Sequence, residues 1–377
     1  MKKLIIILTV CSIAFISCKP KDLPDEDFID FAKEVEQQMT NENAISAINA
    51  FDYEVFEKRV LNGMNLSSTE KEQAIKLIRN MENPIAMTLE EVKNGADFRF
   101  VKFYRKDNEP HIIFRIYFNG VVSVEDWTLG VKSGQIQILD AFLVISGIYW
   151  NDNYRQQIYN RLNVFTDEVI NTNKLIDVNY LISIEEYPKA DSLLYWLLPQ
   201  MQDNLYARTL ELRLASFTDK YEDMEILAEK FNQSFPDEKR ISAYYLMQNS
   251  IQQGIVDETI NNIHTLIALI GDDPINYLYL AWAYQSANAS KFALEYLDSV
   301  IHYIPGNIDL YINKMDIYYY NYDYENCINL LYQIDSLFSH SDNDVVFFSE
   351  NYPLLTDLEP FIQWTKTRQQ LAANKEE

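Results

Sequence analysis

The spacing of apolar residues predicts helices in the first part of the chain. Between residues 27 and 94 apolar side chains recur three or four positions apart, which is the period of an amphipathic helix. The first helix carries Phe28 to Met39, the second covers about 43–62, and the third covers about 68–82. Gly63 ends the second helix, and a proline that follows Asn83 stops the third.

After residue 95 the apolar period falls to two, which is typical of strands with one buried face. The pattern predicts four strands, which are built around Phe98–Phe103, Ile112–Phe118, Val122–Val131 and Ile136–Ile145. Helices followed by long antiparallel strands indicate an α+β domain over residues 27–150.

This order of elements, with the runs at 127–130 and 136–140, resembles the nuclear-transport-factor-2-like fold, a cone in which a curved sheet wraps a helix. A cystatin-like or other helix-on-sheet domain is the alternative. Some members of the cone fold are enzymes with an acid and a histidine inside it. The corresponding polar strand residues here are His111, Arg115, Asp126 and Asp140. We favour a structural role, in which His111 flanks a turn and Arg115 pairs with an acid on a neighbouring strand.

A repeat of 34 residues is the strongest internal signal in the second half of the chain. Five residues recur at that distance: Tyr277, Tyr284, Ala293, Leu297 and Val300 return as Tyr311, Tyr318, Cys327, Leu331 and Ile334. This period resembles tetratricopeptide repeats. The resemblance implies an all-α solenoid of about four units over 180–345, in which each helix pair buries its apolar face against its neighbours.

The segments around the repeats are predicted from their composition. Residues 151–179 are predicted to be a connecting helix, and residues 346–377 a capping helix with a frayed polar tail. Cys327 occupies a position that takes a small residue in the repeat, so we expect it to be a packing residue.

The first helices of such repeats form a concave face, and the family's pattern predicts which residues line it. The residues placed on this face are Ile241, Tyr244, Gln248, Ile275, Leu278, Trp282, Gln285, Asp309, Ile312, Asp316 and Tyr319. We expect a groove for a peptide or protein segment, with Trp282 and Tyr319 as anchors. The alternative is that these side chains pack on neighbouring helices or face water. The lysines and asparagines that clamp a C-terminal carboxylate in chaperone-binding members are missing from this face, so we do not expect that ligand class.

The N-terminal residues predict a lipid anchor. A basic start, an apolar run from Leu4 to Ile16 and a small residue before Cys18 are typical of a secretory signal. The ending Phe15–Cys18 resembles the lipobox of bacterial lipoproteins. It implies a signal peptide over 1–17, lipidation at Cys18 and a tether over 18–26. An ordinary cleaved signal is the alternative. Lys19 resembles the outer-membrane-bound type, so we expect a protein anchored there that faces the periplasm or the cell surface.

Charge and missing motifs narrow the function classes. The net charge is -24, and about -26 without residues 1–17, because that segment holds Lys2 and Lys3 and no acids. An acidic chain repels nucleic acid and anionic lipid head groups, so we expect no nucleic-acid partner and a membrane attachment that depends on acyl chains. The chain has no glycine-rich phosphate loop, His-Glu-x-x-His, Cys-x-x-Cys or nucleophile elbow. We therefore expect no catalytic residues, no metal and no cofactor.

These features together predict a non-enzymatic, lipid-anchored cell-envelope protein whose helical repeats mediate protein–protein interaction or scaffolding. Two alternatives stay open at this point. One is a lipoprotein that binds a glycan or another small molecule, and the other is an enzyme that uses a pocket in the N-terminal domain.

Overall fold

The chain folds into two compact units. The computed structural model describes residues 23–218, 223–338 and 344–373. The second unit consists of Val178–Glu377 with Asn94–Asp97 and Tyr117–Val122, and the first unit holds the remainder. The signal peptide expected over 1–17, the lipidation site Cys18 and most of the tether lie outside the described residues.

Five helices precede the sheet: α1 (Asp25–Thr40), α2 (Ile45–Ala50), α3 (Tyr53–Leu61), α4 (Ser68–Asn80) and α5 (Pro84–Lys93). The prediction of one helix over 43–62 is wrong, because the chain leaves the helical conformation at Phe51 and begins α3 two residues later. The Asp52 carboxylate caps α3 by accepting the backbone N–H groups of Glu54 and Val55. Lys132 donates to the same carboxylate at 3.0 Å.

The sheet is antiparallel, and its strands follow one another in chain order. They are β1 (Asp97–Lys106), β2 (Glu109–Phe118), β3 (Val121–Lys132), β4 (Gln135–Leu143) and β5 (Ile148–Tyr149). The predicted order of helices followed by an antiparallel sheet is confirmed, and the short β5 is an addition. In the ladder between β3 and β4, Trp127 lies opposite Ala141, and a bulge follows at Thr128/Leu129.

An aromatic cluster forms part of the core of the first unit. The ring of Phe114 lies 4.7 Å from those of both Phe98 and Trp127, measured between ring centroids. Trp127 in turn lies 5.7 Å from Trp150, the first residue of the helix after the sheet. These side chains are buried, so one face of the sheet is held by aromatic packing.

Helices make up the described chain after the sheet. They are α6 (Trp150–Arg161), α7 (Asp167–Ser183), α8 (Tyr187–Leu197), α9 (Leu205–Ser216), α10 (Met224–Ser234), α11 (Lys239–Gln252), α12 (Val256–Ile270), α13 (Asn276–Ser286), α14 (Ser290–Tyr303), α15 (Ile308–Tyr320), α16 (Tyr324–Leu337), α17 (Asp344–Asn351) and α18 (Glu359–Ala373). The connecting region predicted as one helix is α6 and α7. The predicted capping helix is α17 and α18, and α18 continues through most of the tail that was expected to fray.

Alternate helices of the second unit bury the same three positions. Consecutive helices from α8 to α16 contact each other, and α11 also contacts α9 and α13. The buried positions are i, i+4 and i+7: Ala190, Leu194, Leu197; Met224, Ala228, Phe231; Thr259, Ile263, Leu266; Ala293, Leu297, Val300; Cys327, Leu331, Ile334. Each set begins 34 or 35 residues after the previous one. The spacing places each set on one face of its helix, and that face is buried.

Candidate functional sites

Two of the residues predicted for the concave face interact with each other on α11. Tyr244 and Gln248 lie one helical turn apart, and their side chains share a hydrogen bond. Burial raises the pKa of the Tyr244 hydroxyl to about 12, although Arg213 and Gln248 act to lower it. The Tyr244 ring meets the ring of Tyr279 edge-on, with 6.4 Å between centroids. The side chains of Tyr244 and Gln248 are half-buried, so a part of each is open to solvent.

The predicted residues on α13 are more deeply packed. Leu278 is 0% exposed and belongs to the apolar core shared by α11 to α15, as do Ile275 and residues of the neighbouring helices. Leu278 therefore stabilises the helices and has no surface to offer a partner. Trp282 is half-buried, and its indole N–H donates to Asn313 on α15 at 3.1 Å. Gln285 is half-buried at the C-terminal end of α13.

The C-terminal segment contacts the predicted residues on α15. The Tyr352 hydroxyl donates to Asp316 at 2.8 Å, and the rings of Tyr352 and Tyr319 meet edge-on at 5.2 Å. The backbone N–H of Leu354 donates to the Tyr319 hydroxyl at 3.4 Å. Burial raises the pKa of Asp316, while the hydrogen bond from Tyr352 acts to lower it. The chain itself therefore occupies this part of the face predicted for a partner.

A histidine, an aspartate and a tyrosine meet on the sheet. His111 on β2 is buried, and its Nδ1 lies 3.0 Å from one carboxylate oxygen of Asp126 on β3. The other carboxylate oxygen of Asp126 accepts the hydroxyl of Tyr104 on β1 at 2.5 Å. The rings of Tyr104 and His111 stack with 5.0 Å between centroids. A carboxylate that orients a histidine in this way is a component of general acid–base sites.

The other two polar candidates on the strands are also buried. Asp140 accepts the backbone N–H groups of Ala141 at 2.9 Å and of Asn151 at 3.2 Å, and also the side-chain amide of Asn151. Arg59 lies 3.7 Å from the same carboxylate. Burial raises the pKa of Asp140 to about 6 despite these contacts. Arg115 on β2 is buried as well. The network around Asp140 ties β4 to α3 and α6, which is a structural role.

Glu125 on β3 is a buried acid that the sequence interpretation overlooked. Its side chain is 5% exposed and accepts the indole N–H of Trp127 at 2.7 Å. Burial raises the pKa of Glu125 to about 7, the Trp127 hydrogen bond lowers it, and the charge of Glu91 raises it further. The available signal was the strand period, since Glu125 lies two positions from Trp127 and therefore on the same face of the predicted strand.

An apolar cleft opens between α8, α9 and α10 and has a volume of about 330 Å³. Its floor contains the buried Leu194, Leu214 and Ala215. Tyr195 and Ile226 line it and are 80% and 52% exposed. Its charged lining residues are Asp191, Glu211, Asp223 and Lys230. The cleft lies outside the predicted concave residues.

Cys327 is the buried free thiol that the repeat pattern predicted to be a packing residue. It lies in the core of α15 to α18, with its Sγ 3.8 Å from the carbonyl oxygen of Met315. Burial raises the pKa of the Cys327 thiol to about 12, and Asp323 raises it further. A thiol in this environment is not a thiolate at neutral pH.

Comparison with known proteins does not assign the chain to a family. No protein-family model matches it, and neither a curated protein nor a solved structure matches it. Among the described helices none is both long and apolar enough to cross a membrane. Within the same part of the chain no three histidine, cysteine, aspartate or glutamate side chains are grouped so that they could hold a metal ion.

Replacing Glu125 by glutamine should remove a pH dependence of stability. Because burial raises the folded-state pKa of Glu125 to about 7 from 4.5, the free energy of unfolding should fall as the pH rises through this interval. Glutamine keeps an acceptor for Trp127 and carries no charge. We expect Glu125→Gln to be more stable than the wild type by about 3 kcal/mol at pH 8 and by less than about 1 kcal/mol at pH 5.

Urea unfolding at both pH values, followed by tryptophan fluorescence, measures this difference. The control is Glu109→Gln, which changes an exposed glutamate at the start of β2. An equal pH dependence in the wild type and Glu125→Gln would contradict the role of Glu125.

Proposed function

We propose that this protein is a non-enzymatic, lipid-anchored protein of the cell envelope whose helical region binds a protein partner. The observation that carries the proposal is the apolar cleft between α8, α9 and α10, with Tyr195 and Ile226 exposed along it. The anchor rests on the residues up to Cys18, and the location at the outer membrane rests on Lys19.

The chemistry of the cleft suits a protein surface. Exposed apolar side chains around a preformed depression mark interaction sites, and tyrosine is among the residue types that contribute most to interface energy. Trp196 lies beside Tyr195 on α8 and is also half exposed. A partner that covers these side chains would remove a large apolar area from water, which is the main favourable term in association.

The burial pattern of the second unit supports a tetratricopeptide-like array as the scaffold for this cleft. Three buried positions return every 34 or 35 residues from α8 to α16. Such arrays bury each helix pair against its neighbours and leave long surfaces for partners. With α11, α13 and α15 as first helices, α9 and α10 form one helix pair of the proposed array, and the apolar cleft lies between this pair and α8.

Binding of the partner should depend on the side chains that line the apolar cleft. We expect the double variant Tyr195→Ala/Ile226→Ser to bind at least about tenfold more weakly, which corresponds to about 1.4 kcal/mol, because both changes remove apolar area at the rim. The measurement is quantitative co-purification from membranes that are cross-linked in the living cell. A partner that is retained equally by the double variant would place binding elsewhere.

Tyr320→Ala is the matched control for that comparison. Tyr320 is an exposed tyrosine at the end of α15 and takes no part in the cleft. Its removal should leave the recovered amount of partner unchanged. Thermal unfolding of each variant verifies that the helices are intact.

The anchor is tested by Cys18→Ser. Without the cysteine thiol no acyl chain can be attached, and the acidic body of the protein does not favour anionic lipid. We expect the variant to lose incorporation of radiolabelled palmitate and to leave the membrane fraction. Palmitate incorporation that persists in Cys18→Ser would contradict the anchor.

The contact between His111 and Asp126 favours one second candidate, an enzyme that uses the sheet for acid–base chemistry. Glutamine at position 111 has no titratable ring nitrogen, so an enzyme of this kind would lose its activity in His111→Gln. Complementation of a deletion strain separates the two functions. Our proposal predicts full complementation by His111→Gln and failure of Tyr195→Ala/Ile226→Ser, and the reverse result would support the enzyme.

A further inference from the structure

A second, polar cleft lies between α10, α11 and α12 and has a volume of about 840 Å³. This volume falls within the range of ligand-binding sites. Leu246 and Asn249 contribute to it from one face of α11, and Gln253, which caps the C-terminus of this helix, lies on the same side because the three residues are three and four positions apart. Tyr244 and Gln248 lie on a different face of this helix, so the polar cleft is distinct from the face predicted to be concave.

The floor of the polar cleft carries an unsatisfied amide. Asn249 is 7% exposed, and its Oδ1 is buried without a hydrogen-bond partner among the described residues. Buried polar atoms normally have a partner, and one that lacks it in a cleft is a position where a ligand donor gains a hydrogen bond without displacing another. Asn249 therefore points to a ligand that donates hydrogen bonds.

Two further asparagines line the cleft, and one offers hydrogen-bond donors while the other offers an acceptor. Asn232 accepts the Ser242 hydroxyl at 2.7 Å through Oδ1, which leaves its amide N–H groups as donors. Asn262 donates through Nδ2 to the carbonyl of Leu246 and to the Ser250 hydroxyl, both at 3.3 Å, which leaves its Oδ1 as an acceptor. A ligand that fits must offer donors and acceptors side by side. The backbone of an extended peptide has this property, since each residue other than proline carries one N–H and one C=O.

The charged residues at the rim of the cleft favour a peptide with basic side chains. Among the described residues, Glu225, Glu229 and Glu258 line the cleft together with one cation, Lys239. These carboxylates are exposed, and no lysine or arginine in the described ranges forms an ion pair with them. Lysine and arginine side chains on a ligand would therefore meet a net negative rim.

We propose that this cleft binds an extended peptide segment that carries lysine or arginine side chains. Its backbone pairs with the asparagine amides of the floor, and its basic side chains reach the glutamates of the rim. A neutral sugar is a poorer fit, because the described residues that line this cleft include no aromatic side chain for a sugar ring to stack on. The site goes beyond the proposed function, since it is separate from the apolar cleft and selects a different chemistry.

Fluorescence anisotropy of the purified full-length protein tests the site without a cellular partner, so its outcome is independent of the co-purification result. The probe is a short acetylated peptide of alternating lysine and alanine, labelled at one end, and the comparison peptide has glutamate in place of lysine. We expect saturable binding of the lysine peptide, which weakens as salt is added, and no binding of the glutamate peptide.

Two variants locate the binding. Asn249→Leu removes the unsatisfied amide and should bind the lysine peptide at least about tenfold more weakly, while its melting temperature is not lowered, because an apolar group of similar size replaces a buried unpaired one. Glu258→Gln should bind severalfold more weakly. Glu325→Gln, which changes an exposed first-turn glutamate of α16 outside the cleft, should match the wild type.

Three outcomes would overturn the proposal. They are no saturable binding of the lysine peptide, equal binding by the wild type and Glu258→Gln, and displacement of the peptide by a neutral oligosaccharide at a similar concentration. If Asn249→Leu does not fold, the comparison of Glu258→Gln with Glu325→Gln tests the proposal. Both of these positions are exposed, so neither change should unfold the protein.

Discussion

The second unit depends on the burial of one apolar face per amphipathic helix. An isolated pair of such helices leaves this face in water, so the faces are buried only where successive helices pack against each other. The same three positions are buried on every second helix from α8 to α16. The first of them is Ala190 and the last is Ile334. Because these faces are used for packing, the partner binding that we propose falls to side chains that remain exposed, and Tyr195 and Ile226 are among them.

The sequence predicted the features of the fold that depend on residues close together in the chain. The change of period near residue 95 located the strands, and the recurrence of Ala293 at Cys327 located two helix positions that are fully buried. It did not predict the break between α2 and α3, because the apolar spacing runs through Phe51 without interruption. The break is a capping event at Asp52, which depends on backbone conformation and not on hydrophobic period.

The sequence predicted the candidate sites less well, because exposure is set by residues far away in the chain. Leu278 was expected on a binding surface and lies in the core, since neighbouring helices close over it. Asp316 and Tyr319 were expected to be open and are contacted by Tyr352, more than 30 residues later. Asn249 could not be recognised at all, because its distinguishing property is a missing hydrogen bond, which only a folded environment creates.

The central claim is that the apolar cleft of the helical region contacts a protein partner. Site-specific photo-cross-linking in living cells tests it most directly, with a photoreactive phenylalanine analogue in place of Tyr195 and, in a separate strain, of Tyr320. Both positions are exposed, so both probes reach solvent equally. The account predicts one discrete cross-linked product at Tyr195 that is absent at Tyr320. No product at Tyr195, or the same products at both positions, would contradict it.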